Sequence, residues 1–310
     1  MAHAATAAIT PHRLLLLLTA GLLALVARAQ EGSTAGWIEN LHLTASGGGA
    51  WVNNLSRTSY APTRKDATTY EFKLSGSQPR QLASSLLLVA SEEINTLSVP
   101  DYELAGNLRA GGRLALQRKF GLGPLAPVLQ VSAGTTYKSA RFAGDRGWTT
   151  EAGVQLAQRV LPNLRLAASA QWLEHDAKSP VFDVNQHSYS FDASWDLNER
   201  WSLNGSVSRL SGNVEANAAW SVWAQALSGG LGPTVQNYYT ARPWSVTNIY
   251  GPKWVSYNVE ANVDLWSVTL TYAVSDHTAL ELRKSAAYVV NHVGVRYPTD
   301  SWGLSLTHRF

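Results

Sequence analysis

A chain of 310 residues with 25 basic and 22 acidic side chains and no cysteine has no disulfide framework, no thiol-based metal or redox site, and no basic footprint for nucleic acid. Charged residues make up 15% of it, against about 25% in typical soluble domains, and the 24 Gly and 12 Trp suit a surface that lipid accepts.

His12 and Arg13 precede an apolar run from Leu14 to Val26, and Ala27-Arg28-Ala29 has the small-x-small form of a signal-peptidase site. This predicts a cleaved secretory signal over residues 1–29, with Gln30 as the first mature residue. The cut removes Arg13 and Arg28 and no acid, so the net charge falls from +3 to +1. The run is shorter than the ~20 apolar residues a helix needs to span a bilayer, and no later stretch is long or apolar enough. The mature chain, 30–310, is read as one exported domain that can embed in a membrane only through strands.

From Trp37 onward one pattern repeats. Tyr70, Phe72 and Leu74 alternate with Glu71, Lys73 and Ser75; Leu129, Val131 and Ala133 with Gln130, Ser132 and Gly134; Ala152, Val154 and Leu156 with Glu151, Gly153 and Gln155. Leu164, Leu166 and Ala168 face away from Arg165 and Ser169, and Tyr189, Phe191 and Trp195 oppose Ser190, Asp192, Ser194 and Asp196. Strands of about 10 residues with one apolar and one polar face are what a transmembrane barrel requires. Twelve are expected, with 10 to 14 as the allowed range: roughly 37–56, 68–77, 82–94, 102–118, 128–139, 147–160, 164–175, 185–197, 201–213, 254–274, 278–290 and 300–310.

The connections alternate as well. Tight turns are expected at Gln78–Gln81, Leu161–Asn163, Asn198–Arg200 and Ser275–His277, with a longer one from Phe120 to Pro127, and long polar loops at about 57–67, 95–101, 140–146, 176–184, 214–253 and 291–300. Short turns on one rim and long loops on the other is the outer-membrane arrangement. A soluble β-sandwich would also alternate, but it would not need Trp148, Trp172, Trp195, Trp201, Trp254, Tyr272, Trp302 and Phe310 near strand ends, where interfacial girdles sit. Closure follows because an open edge in hydrocarbon leaves unpaired backbone groups.

The last strand carries the most specific signal. Trp302, Leu304, Leu306, His308 and a terminal Phe310 alternate with Ser301, Gly303, Ser305, Thr307 and Arg309. In this the chain resembles the superfamily of Gram-negative outer-membrane β-barrels, porin-like proteins whose insertion machinery reads a terminal aromatic strand. The resemblance implies a closed antiparallel up-and-down transmembrane barrel in the cell outer membrane. It also implies outer-membrane lipid as solvent, and periplasmic chaperones and barrel-assembly machinery as partners in transit. It identifies no subfamily.

If apolar side chains face lipid, the others line a lumen. A basic wall is expected from Lys73, Arg109, Arg113, Lys138, Arg159 and Arg165, and an acidic wall from Asp192, Asp196, Glu260, Asp264 and Glu281. Either the walls face each other across the lumen or neighbouring strands pair their charges. The loop at 214–253 exceeds ordinary connection lengths and carries Trp220, Trp223, Tyr238, Tyr239, Trp244 and Tyr250. It either constricts the mouth, forms an external platform, or extends the flanking strands with the aromatics as its own core.

Catalytic signals are weak. Alternation puts His187 and Ser188 on opposite faces, so they cannot form a nucleophile–base pair. At the two-residue spacing of the outer-membrane phospholipase His–Ser pair, His187 is followed by Tyr189. No metal-ligand or cofactor pattern stands out. The expected function is a passive channel for small hydrophilic solutes, with a plugged surface-binding barrel and a lipid-modifying enzyme as alternatives.

Overall fold

The computed structural model describes residues 41–310; the expected signal segment and the start of the first strand lie outside them. Strands β1 (His42–Asn53), β2 (Ala67–Ala83), β3 (Leu86–Ser98), β4 (Asn107–Lys119), β5 (Val128–Ala140), β6 (Gly147–Leu161), β7 (Leu164–Ala177), β8 (Val184–Asp196) and β9 (Trp201–Ala219) follow in order. Then come two short helices, α1 (Trp220–Leu227) and α2 (Pro233–Thr240), a three-residue strand β10 (Trp244–Val246), and strands β11 (Trp254–Ala273), β12 (Thr278–Asn291) and β13 (Arg296–Arg309). Strands β1 to β9 pair antiparallel in sequence, as do β10 to β13; β9 pairs with β11, and β13 pairs with β1. The result is a closed 12-strand barrel with β10 as an appendage on β11. Its seam joins Thr44 opposite Arg309 to Asn53 opposite Asp300.

The pleat sorts side chains into two solvents. Phe191, Val154, Leu304 and Leu306 stand on one face and remain 48%, 42%, 52% and 50% exposed, the apolar outer band that a bilayer-spanning barrel requires. The opposite face of the same strands holds Ser190, Asp192, Gly153, Glu151, Ser305 and Thr307. Tight turns close by side-chain caps that need no glycine: the Asn198 carboxamide oxygen accepts from the Arg200 and Trp201 amides, at 2.9 and 3.0 Å, and the Ser275 hydroxyl accepts from the Thr278 amide at 3.1 Å.

Three expectations need correction. The turn expected at Gln78–Gln81 lies inside β2, and the hairpin closes instead between Ala83 and Leu86. Pro79 lies within β2 opposite Val89 of β3. The segment from Tyr102 to Ala105 is not strand but part of a 3-10 turn, Pro100–Ala105, which Gly106 ends before β4 starts. The loop expected at 214–253 is shorter than it looked, because β9 continues through Ala219 and pairs with β11 up to Trp254. Gly212 stands at φ +141°, where β9 leaves β8. A Cβ there would fall 2.1 Å from the Asn185 carbonyl oxygen, so the departure needs glycine.

Candidate functional site: lumen wall and mouth

The register places all six residues of the expected basic wall on the lumen face, but it neutralises most of them locally. Lys73 meets Glu93 at 2.6 Å, one strand away. Arg113 on β4 reaches over β5 to Glu151 on β6, Nε to Oε1 at 2.8 Å. The strand between contributes Gly134, opposite both, and a Cβ there would come within 3.2 Å of the Glu151 carboxylate. The absent side chain is what lets the pair bridge. Lys138 meets Asp145 at 2.5 Å, and Arg159 stands 3.8 Å from Asp196. Arg109 is held by the Asn107 side chain at 3.2 Å, while Arg165 has no ion-pair partner among the described residues.

The expected acidic wall divides. Asp192, Asp196 and Glu281 lie on the lumen face. Glu260 and Asp264 do not: in β11 it is Val259, Val263 and Leu265 that share the face of the lumen residues Ser208 and Ala287, and the even-numbered residues point outward. Glu260 is at the rim with Arg242 at 2.9 Å and His292 at 3.0 Å, and Asp264 stands 3.9 Å from Arg209 on the outer wall. The apolar-outward rule fails on upper β11 because that strand's inner face is covered by protein.

The cover is the long loop. Trp223, 2% exposed, stacks on Tyr257 with centroids 4.7 Å apart and planes at 25°, and meets Tyr239 and Trp244 at 5.3 and 5.7 Å. Val255, Val259, Val263, Val289 and Tyr297 complete this cluster on the face continuous with the lumen. Tyr238 brackets the free edge of β11, its hydroxyl taking the Glu260 amide at 3.0 Å. Burial pushes the Tyr239 phenol up to about 12, against the opposing hydrogen bond from Asn291. Trp220 packs on Trp244 at 6.3 Å at the loop's outer edge.

Tyr250 belongs to a second cluster with Ile249, Trp254, Val181 and Phe182, against Leu55, Tyr102 and Phe142. Those partners come from four other loops on the same rim, so the long loop is tied to connections all round the mouth. The Tyr250 hydroxyl donates to the Leu55 carbonyl at 3.0 Å, and the Asn258 side-chain nitrogen on β11 donates to the Asp183 carbonyl at 2.6 Å. Arg57 approaches Glu215 at 3.9 Å. Asp145 carries a carboxyl pushed up by burial but lowered overall by the His175 ring 3.5 Å away and by the Lys138 ammonium.

On the outer wall, His187 lies directly across from Ser211, a residue that sequence spacing alone could not pair with it. The Ser211 hydroxyl, however, contacts the Asn262 carboxamide oxygen at 2.6 Å, and no hydrogen bond joins it to His187. A groove of about 670 Å³ below, between Tyr189, Trp266 and Tyr288, is apolar and faces lipid. Phe310 is 73% exposed; its amide donates to the Leu43 carbonyl at 3.0 Å, and its ring meets His308 edge-on at 4.7 Å. Trp302, Leu304, Leu306 and His308 share the outward face.

No protein-family model matches this chain, and no curated protein matches it. Among solved structures, an outer membrane channel from Pseudomonas putida F1 aligns with a TM-score of 0.51 at 10% identity, over 86% of this chain and 95% of that one. The outer membrane phospholipase of Salmonella typhi aligns at 0.47 with 12% identity, over 86% and 90%. The outer membrane channel DcaP of Acinetobacter baumannii aligns at 0.42 with 8% identity, over 87% and 96%. The first of these shows that the fold is that of outer-membrane β-barrels.

Proposed function

We propose that the barrel is a passive outer-membrane channel for small hydrophilic solutes, with a mild preference for anions. The observation that carries this reading is the composition of the lumen face. From β8 to β13 it is a field of small hydroxyl residues, Ser190, Ser206, Ser208, Ser267, Ser285 and Ser301, which neither fill a core nor face lipid comfortably. Such a surface is stable when water wets it. The anion preference follows from the charges. Arg109, Arg165, Arg283 and Arg309 project from the lumen face without ion-pair partners among the described residues, against the acids Glu71, Asp192 and Glu281, while Glu93, Glu151 and Asp196 are each within 4 Å of a base.

Planar-bilayer recording tests the reading: purified full-length protein should give discrete ohmic steps with permeability biased toward chloride over potassium. Folded protein that gives no steps, with or without residues 220–250, would refute it. A second reading, a closed barrel used for surface binding, is favoured by the ties between the long loop and the other rim loops. It predicts steps only after the loop is removed.

A further inference from the structure

Resting on the channel reading, one part of the lumen wall is built differently from the rest. Ser206, Ser267, Ser285 and Ser301 are consecutive partners across β9, β11, β12 and β13, forming one unbroken serine row. Neighbouring strands lie about 4.8 Å apart, so four hydroxyls recur at that spacing. Ser285 and Ser301 touch at 2.6 Å, while the hydroxyls of Ser206 and Ser267 have no protein hydrogen-bond partner among the described residues.

The adjacent row, toward the short turns, contains Thr269, Arg283 and Gly303 as direct partners. Arg283 is exposed and has neither an ion pair nor a hydrogen bond among the described residues, and its partner Gly303 places no side chain against it. Serine row and arginine together line a recess of about 270 Å³. The recess exists because its wall is made of small side chains, whereas the strands from β2 to β7 fill their side of the lumen with Lys73, Arg109, Arg113 and Lys138. Acids flank it: Asp192 is the partner of Ser206 at one end of the row, and Glu281 lies two residues from Arg283 on the same face. Arg283 is the one base among the residues lining the recess, so an anionic group is directed to it.

We propose that this recess is a solute subsite for a small polyhydroxylated anion, its acid group on the Arg283 guanidinium and its hydroxyls along the serine row. A guanidinium offers five donors in a planar fork and suits carboxylate or phosphate, and each serine is both donor and acceptor toward a hydroxylated solute. In a wetted lumen such contacts are weak, which a channel requires if the solute is to leave.

Binding and conduction are tested separately. Saturation-transfer NMR on the detergent-solubilised full-length barrel, with gluconate, glucose 6-phosphate, glucose and acetate as probes, should show dissociation constants for the first two about tenfold below those of glucose and acetate. Gluconate against glucose 6-phosphate decides between carboxylate and phosphate. Arg283→Gln should weaken the anionic polyols about tenfold and leave glucose unchanged, with Arg283→Lys intermediate. The pair Ser206→Val and Ser267→Val should bring gluconate down to acetate. Acetate binding as well as gluconate in the folded wild type, or an Arg283→Gln variant that keeps its preference, would overturn the subsite. Preferential binding with no single-channel steps would instead sink the channel reading and leave the subsite standing.

Discussion

Replacing Trp223 by alanine is the sharpest test of how the mouth is held. The indole is 2% exposed, stacked on Tyr257 and wedged against Tyr239 and Trp244, so truncation removes the centre of the cluster. Truncating a buried tryptophan costs about 3–5 kcal/mol. The rest of the barrel is held by continuous ladders that this change does not touch, so the loss should appear as local opening of the loop rather than as global unfolding. At about 1.4 kcal/mol per factor of ten, the closed loop should open two to three and a half orders of magnitude more often.

Hydrogen exchange reads this residue by residue. The amides of Ser228, Gly230 and Gln236 donate to Ala224, Gln225 and Gly232 within the helical segment, and their protection should fall by that factor. Amides of β5 and β6 should keep theirs. The Trp223 indole nitrogen is buried without a partner, so Trp223→Phe removes an unsatisfied donor along with some area and should cost far less than the alanine change. Trp244→Ala, at a residue 38% exposed, should fall below Trp223→Ala as well. Unchanged protection of those three amides in Trp223→Ala, or an equal loss throughout the barrel strands, would refute the assignment of the loop as a locally stabilised unit.

Single cysteines at Glu151, Arg165 and Asp192 should react with a charged maleimide, and those at Val154, Leu166, Phe191 and Leu304 should not; the reverse pattern would invert the faces. Neutralising Asp192, Asp196 and Glu281 together should move bilayer permeability further toward anions, whereas neutralising Glu260 and Asp264 should leave it within error, because they lie off the lumen. The first shift should shrink in 1 M salt, where the Debye length is about 3 Å. Phe310→Ser should lower the yield of heat-modifiable protein in outer membranes without affecting export, and an unchanged folded fraction would remove the assembly role of that residue. Asp145 titrates below its ordinary range in the folded protein, so its contribution to holding the 141–146 loop is complete at neutral pH and is lost as the pH falls through that lowered value. Acid should therefore lower the protection of the Asp145 amide, which donates to the Phe142 carbonyl at 3.1 Å, once exchange is corrected for its intrinsic pH dependence, and Asp145→Asn should show that lowered protection already at neutral pH.

Twelve strands, their order and the seam were legible in the sequence because a wall between lipid and water imposes a period of two that no loop can imitate for long. Leu164 to Trp172 or Ser301 to Arg309 admit only one assignment of faces, and the lumen-facing residues follow from it. The sequence could not fix positions where protein, rather than lipid or water, covers a face. On upper β11 the valines look lipid-facing, and only the packing of Trp223 and Tyr239 against them shows that they point inward and that Glu260 and Asp264 point out. Charge partners were likewise a matter of register: Arg113 and Glu151 lie 38 residues apart and meet because β5 places Gly134 between them. The serine row is the same kind of fact, four residues unremarkable in their own strands that adjacency across the closed sheet turns into one surface. Alternation is a local property that each strand writes for itself, whereas pairing and cover are set by which segments lie side by side, and that is decided only when the barrel closes.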